Sequence, residues 1–379
     1  MEADPFLEKI TKNALTAKSG KYGTRIGIGG GFGMSEERQP TPHAVAPIYE
    51  NLKYTSKDAY VDIKISNKDI ALARNDTGAL LDTVKDAIDA SYEAAKWNVG
   101  RMLFGDGTGA LAKVTAASTG TIYDESGSAV TVTELTVDDT TRLIEGLVID
   151  TYTGTTLDNS ALQIVSVDHA TKKILLNKAA TTAIAANDVL YVQNSKGREI
   201  TGLKSIFDSN ITTIYGLTKA SNAWINPSVV DADHDISDVV ITNAVRMAER
   251  RNGKIDMIMA GAAAYQAYEY YMRESGINTS IVEKRHFVSG AVGYDIMFGN
   301  RVVTLIYNDF VPTDEMWGVD TNQFELRETG WNYAVYQGGS IFNLMDDTSV
   351  YRALLYNYME LVCKHPGTCI QITNADAST

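Results

Sequence analysis

Between Thr77 and Phe104 the apolar residues Leu81, Val84, Ile88, Tyr92, Ala95, Val99 and Met102 recur at spacings of three and four. The pattern predicts one helix of about 28 residues, roughly 42 Å long at about 1.5 Å per residue, with Asp76 as its N-cap. That is longer than most single domains need, so it reads as a spine. Gly105-Asp106-Gly107-Thr108-Gly109 closes it, and a glycine-led segment, Gly202-Leu203, resumes about ninety residues later. A long helix ending in a glycine turn and interrupted by a removable module points to a scaffold built to assemble, not to an active site around one pocket.

The interruption has its own character. Residues 115–200 hold 15 threonines, 6 Lys plus Arg against 11 Asp plus Glu, and no proline. Runs such as Ala161–Val167 and Asp188–Val192 alternate with period two, are β-branched, and are bounded by Asp, Asn, Gly and Ser; about six short strands are expected. A segment of this length can close its own small barrel or sandwich. Its ends should lie close together, and it should fold largely alone.

The chain has 379 residues, enough for two or three domains. A formal charge of -13 argues against broad attraction to nucleic acid or an anionic membrane. Only residues 9–25 run the other way, with Lys9, Lys12, Lys18, Lys21 and Arg25 and no acid; contact with a polyanion or scaffolding partner and a solvated face both remain open. The start lacks a secretory pattern and no window is apolar enough for a membrane helix, so a cytoplasmic protein is expected, with Cys363 and Cys369 as reduced thiols. The twenty tyrosines suit half-buried contact surfaces.

Residues 1–47 carry four of seven prolines and the glycine run Gly27–Gly33, which predicts an extended arm with a short helix near residues 5 to 18. Residues 48–66 alternate around a turn near Ser56-Lys57-Asp58 and are expected to form a long β-hairpin, marginal alone and leaning on a partner. Tyr54, Lys57, Asp58 and Tyr60 are its candidate inter-subunit contacts. Beyond the inserted module, helices capped by Asp235 or Ser237 and starting near Ala262, with strands near 255–259, 301–307 and 315–319, make a compact α/β unit. From Phe324 the chain reads as strand.

This order of parts resembles the tailed-phage major capsid protein of the Hong Kong 97 type. The resemblance rests on Val61-Asp62-Ile63-Lys64-Ile65-Ser66 leading into Asp69-Ile70-Ala71-Leu72, then the spine, Leu103-Phe104 with the glycine turn, and Gly202-Leu203. It implies an α+β fold with an N-terminal arm (1–47), an extended hairpin loop (48–66), a peripheral domain with the spine (67–114 and 320–379), an inserted all-β domain (115–200) and an axial α/β domain (201–319). It implies a structural protein, not an enzyme, that self-assembles as pentamers and hexamers into an icosahedral shell around double-stranded DNA. The expected location is the virion capsid, assembled in the host bacterial cytoplasm. Partners implied are itself and scaffolding, portal or decoration proteins, with at most weak contact to the DNA; no cofactor, metal or membrane is called for. The inserted domain would project from the outer face. Some members cross-link a loop lysine to a distant asparagine; Lys53, Lys57, Asn343 and Asn357 are available, but nothing fixes a pairing and none is carried over.

Two alternatives stay open: a bacterial nanocompartment shell of the same fold packaging enzyme cargo, and a metal-dependent enzyme using the acidic cluster Asp231, Asp233, His234 and Asp235. The competing role for that cluster is capping the helix behind it. Cys363, His365 and Cys369 offer three zinc-type ligands without a fourth, and hairpin packing is the plainer reading. His43, His169 and His286 have no pattern of nucleophile and base around them. The glycine run has neither a phosphate-loop ending nor a dinucleotide fingerprint and fits a flexible arm.

Overall fold

The computed structural model describes residues 4–376 apart from 28–29, 38, 69–76, 124–125, 276–283, 287–291, 299–300, 336–338 and 346–347. The expected cap Asp76 and the segment Asp69–Leu72 therefore lie outside the described residues. From the N-terminus, helix α1 (Pro5–Lys9) leads to strands β1 (Thr11–Ala14), β2 (Ser19–Arg25), β3 (Tyr49–Thr55) and β4 (Lys57–Ser66), then the long helix α2 (Thr77–Leu103). Strands β5 (Ala110–Tyr123), β6 (Ala129–Val137), β7 (Val148–Thr153), β8 (Thr156–Asp168), β9 (Lys173–Leu176) and β10 (Val189–Val192) follow. Helix α3 (Lys204–Phe207) and the small pair β11 (Thr213–Ile214) and β12 (Leu217–Thr218) come next. After them run β13 (Ser228–Asp231), α4 (Asp238–Arg250), β14 (Met257–Ala260), α5 (Ala262–Glu274), β15 (Lys284–His286), β16 (Val292–Phe298), β17 (Arg301–Tyr307) and β18 (Met316–Val319). The chain finishes with β19 (Phe324–Glu328), β20 (Asn332–Tyr333), β21 (Asn343–Leu344), β22 (Val350–Cys363) and β23 (Ile370–Thr373).

Contacts divide the chain into two units, Asn98–Lys204 and Met1–Trp97 with Ser205–Thr379. The first is a closed barrel in the order β10-β5-β6-β9-β8-β7. Closure removes the sheet edges that a lone set of short strands would expose. Alternating side chains point inward, so that Leu135, Ile149, Leu162, Leu176 and Leu190 are fully buried. The strands begin at Ala110, ahead of the composition change at 115, because Ala110-Leu111-Ala112 is apolar and carries no threonine to announce it.

The second unit holds two main sheets. One runs β1-β19-β22-β20, with β4 and β21 also paired to the fourteen-residue β22. The other is a seven-stranded mixed sheet, β13-β23-β18-β14-β17-β16-β15, whose core includes Ile241, Ala244 and Val245 of α4 and Ala264 and Tyr268 of α5. Its central strand β14 reads Met-Ile-Met-Ala and is buried throughout, the continuous apolar run of a strand covered on both faces.

Three expectations are corrected. Residues 48–66 do not pair with each other: β3 pairs with β2, from Ser19↔Thr55 to Arg25↔Tyr49, and β4 pairs with β22, from Val350↔Ser66 to Met359↔Lys57. Only Ser56 separates β3 from β4, and no Gly or Asn supplies the positive φ that a tight hairpin turn requires. The arm of residues 1–47 does hold a short helix, but α1 covers only Pro5–Lys9 of the span 5–18, and the start of the arm packs within its own chain: Phe6 is buried edge-on against Phe324 with centroids 5.3 Å apart, and β1 pairs in parallel with β19. The prolines and the glycine run that suggested an arm sit mainly beyond Ile26. Finally, residues 320–379 do not stay in one sheet. A short 3-10 turn at Pro366–Thr368 redirects the chain, and β23 enters the α/β sheet between β13 and β18. Cys363 thus ends β22 and Cys369 caps the turn just ahead of β23, both buried and free, and not in a hairpin.

Candidate assembly elements

The β2–β3 ribbon continues past its strands, with Ile26 N donating to Ile48 O (2.8 Å) and Gly30 N to Val45 O (2.7 Å). Its outer part has almost no core: Phe32 is 92% and Met34 96% exposed, and Val45, Ile48 and Tyr49 are also exposed. Two large apolar side chains two residues apart and so fully in water are the kind of surface that a partner covers.

The base of the ribbon is fastened within the chain. Tyr54 is 7% exposed; its ring lies across β2 over Gly20, where a Cβ would collide with it, and faces the Arg327 guanidinium at 4.9 Å. Arg327 also donates to the Tyr54 hydroxyl and sits 3.5 Å from the buried Glu325 carboxylate. Beside this pair, Lys364 lies over the Tyr22 ring, and Thr24 Oγ1 donates to Lys364 O (2.7 Å). A third fastening comes from Tyr215, held at φ 49°. Its carbonyl accepts from Lys53 N (2.9 Å), while its hydroxyl donates to Leu361 O (3.0 Å) and accepts from Cys363 N (3.1 Å). Burial pushes the Tyr215 phenol well above its usual range, so it stays a neutral donor.

Of the four candidate contacts, Tyr54 is therefore spent inside its own chain. Lys57, Asp58 and Tyr60 lie on β4 opposite Met359, Tyr358 and Tyr356; Asp58 and Tyr60 are exposed, and Tyr60 meets the Tyr358 ring edge-on at 6.5 Å. Sequence reasoning missed Arg327, Gly20 and Tyr215, whose partners are far away in the chain and leave no local signal.

The glycine turn is the second element. Asp106 Oδ1 accepts from Thr108 N (2.8 Å) and Thr108 Oγ1 (2.5 Å), folding the loop on itself. Gly107 and Gly109 take φ near +83° and +81°, which side chains rarely adopt. The chain leaves and returns at one place: Gly197 N donates to Thr108 O and Leu203 N to Leu103 O, each 2.7 Å. Gly202 passes so close to the carbonyls of Met102, Leu103 and Gly105 that no Cβ fits. Beneath lies a buried bidentate ion pair, Arg101 Nη1 and Nη2 to Glu199 Oε2 and Oε1 at 3.0 and 2.5 Å, with the side chains 2% and 4% exposed. Arg142 Nη2 adds a bond to Phe104 O (3.2 Å). The motif is thus the weld between the spine's end and the barrel.

The acidic cluster before α4 is arranged as a turn. Asp231 Oδ1 accepts from Asp233 N (3.0 Å) and Asn374 Nδ2 (3.1 Å), which holds its carboxyl below the usual range. Asp233 and His234 take left-handed φ, and His234 Nδ1 pairs with Asp376 at 2.7 Å. The N-cap of α4 is Ser237, one of the two residues expected there, although its side chain makes no capping bond. Among the described residues no group of three His, Cys, Asp or Glu side chains is placed to hold a metal ion. His365 packs edge-on against Trp224 with centroids 5.5 Å apart. No helix among the described residues is long and apolar enough to cross a membrane.

No protein-family model matches this sequence, and no curated protein matches it. Solved structures do. The capsid of cyanophage A-1(L) aligns over 99% of this chain and 93% of its own, with a TM-score of 0.55 and 9% identity. The SrpI encapsulin from Synechococcus elongatus PCC 7942 aligns over 100% and 90%, with a TM-score of 0.52 and 9% identity. Identity this low speaks to fold alone, and the fold, a mixed α+β chain with ribbon, spine helix and α/β sheet, is that of the Hong Kong 97 type capsid proteins, here with a closed β-barrel following the spine helix in the sequence.

Proposed function

We propose that this chain is a major capsid protein: many copies self-assemble as pentamers and hexamers into an icosahedral head that encloses the double-stranded DNA of a tailed phage, without chemistry of its own. The observation that carries the reading is the β2–β3 ribbon, firmly fastened at its base yet exposed along its outer part, on the spine-and-sheet fold shared with a phage capsid. A projection with little core of its own gains order from neighbours, and many weak contacts closing a shell reinforce one another. The ribbon supplies the reach, and the sheet carrying β22 and the α/β sheet supply rigid bodies for packing around symmetry axes. Residues 67–114 with 320–369 act as the peripheral part, and 205–319 with β23 as the axial part. The barrel acts as an accessory surface, and scaffolding, portal or decoration proteins are the expected further partners. The virion is the final location, reached from the host cytoplasm.

The likeness to an encapsulin supports a second reading, a nanocompartment around an enzyme cargo. Cryo-electron microscopy of particles from the native source separates the two. Ordered layers of packed DNA in the lumen support the head; protein density tethered to the inner wall, with no nucleic acid, supports the compartment.

A further inference from the structure

The barrel carries a ribbon of its own. Strand β5 pairs with β10 only at Ala110–Lys113, and Val114 is the last residue bonded on that side, through Val114 N to Asp188 O and Asn187 N to Val114 O (both 2.8 Å). On the other strand, β6 pairs with β9 only at Glu134–Thr136, and Thr133 N reaches Lys178 O at 3.4 Å. Beyond those points, among the described residues, β5 and β6 pair only with each other, up to Tyr123↔Ala129. Nearly every residue there is exposed, Tyr123 to 75%; Val132 alone is fully buried.

Along residues 115–123 the β5 edge lacks the charges and prolines that natural edges use; the bulge between Val114 and Ala116 lies at its base, and Glu134 sits across from Ser118 on the other strand. Thr115–Tyr123 contains no Lys, Arg, Asp, Glu or Pro, and neither does 126–133. Edge strands are ordinarily blunted by just those residues, because unpaired N–H and C=O groups recruit other strands. The unpaired run on β5 is nine residues, 115–123, against four on β6, 129–132, so β5 offers the longer edge.

We infer that the outer edge of β5, residues 115–123, pairs antiparallel with the same edge of a second copy of this chain. The occupant follows from charge and symmetry. A chain of net charge -13 repels its own copies at most surfaces, and an uncharged edge of small Thr, Ala and Ser side chains is where two copies approach with least cost. Antiparallel self-pairing is isologous: one contact satisfies both partners and closes on a two-fold axis, merging two ribbons into a four-stranded sheet by main-chain bonds. It rests on the shell reading to the extent that a shell supplies the local concentration.

The test is a cysteine scan of the full chain, one variant each from Ala116→Cys to Ile122→Cys, mildly oxidised and run on non-reducing gels. Cys363 and Cys369 are buried, so the parent gives a blank. Self-pairing places only the residue on the axis opposite its own copy, so dimer yield should peak sharply at one position and fall about tenfold two residues away. Amides of 116–122 should also gain at least about tenfold protection from hydrogen exchange on assembly. Particles that form normally while no position cross-links and no amide gains protection overturn edge pairing and leave the shell reading standing. Cross-linking to a different protein overturns the choice of occupant. A parent that stays monomeric, with no dimer at any position, overturns both.

Discussion

Two long β-ribbons among the described residues, β2–β3 and the outer part of β5–β6, are built in opposite ways. The β2–β3 ribbon bears Lys21, Arg25, Glu50 and Lys53, and side chains secure its base: the Arg327–Tyr54 stack, Lys364 over Tyr22, and Tyr215 bridging Lys53 to β22. The β5–β6 ribbon bears no charge on β5 from Thr115 to Tyr123 and a single one, Glu134, on the paired part of β6, and it grows out of a closed barrel whose entry is welded by Arg101 and Glu199. One ribbon therefore has a defined attachment and a charged edge, which suits docking by side chains at its exposed outer part. The other has a plain edge on a rigid stalk, which suits pairing through the backbone. The two kinds of edge divide the work of holding copies together.

The largest effect should come from shortening the first ribbon. Replacing residues 26–48 by a short glycine-serine turn removes Phe32 and Met34 but leaves every fastening at the base. Circular dichroism and melting should change little while normal shells disappear; if the variant assembles like the parent, the outer ribbon is decoration. Next comes the barrel's weld. Glu199→Ala leaves Arg101 buried without its carboxylate, and breaking such a pair costs about 3–5 kcal/mol. Hydrogen exchange should show the barrel's core strands opening sooner, with the β2–β3 ribbon unchanged.

Arg327→Ala reverses that pattern. Loss of a cation–π contact and a charged hydrogen bond costs about 1–3 kcal/mol locally. Exchange should speed up in residues 19–25 and 49–55 and leave the barrel alone. If both variants loosened both regions, the two ribbons would not be independent and the comparison would fail.

The smallest effect concerns the anchor of the arm. Asp4 accepts from Phe6 N (2.8 Å) and from Asn308 Nδ2 (2.7 Å) as it caps α1, and removal from water raises its carboxyl from 3.8 to about 6 despite those bonds. The folded state therefore holds this proton more tightly than the unfolded chain does. The contribution is complete below pH 3.8 and is lost as pH rises through 6. Between pH 7 and pH 5 the docking of α1 should strengthen by about 1 kcal/mol, read as slower exchange in residues 5–14 after correction for intrinsic rates. Asp4→Asn should abolish the difference.

What the sequence showed and what it hid divide along local and distant interactions. The spine helix, α4, α5, β17 and the six barrel strands follow from periodicity and turn residues within a few positions of each other, and all were legible. Pairing was not. Residues 48–66 alternate as two strands should, but their partners lie in Ser19–Arg25 and Val350–Met359. The first of these is disguised by two glycines and two cations as a basic arm. β23 carries no mark of its sheet; the turn at Pro366–Thr368 decides that. In the candidate site, the Gly105–Gly109 turn and its return at Gly202 were visible because glycine is needed where backbones touch. Arg101 and Glu199 are 98 residues apart, so no local pattern announced their pairing.

The central claim, that this chain closes into large shells, is most directly tested by sedimentation velocity of the purified full-length protein across a range of salt and concentration. The account predicts a fast boundary of discrete large particles, together with small capsomer-sized species at low concentration. A single sharp monomer or dimer under every condition would contradict it.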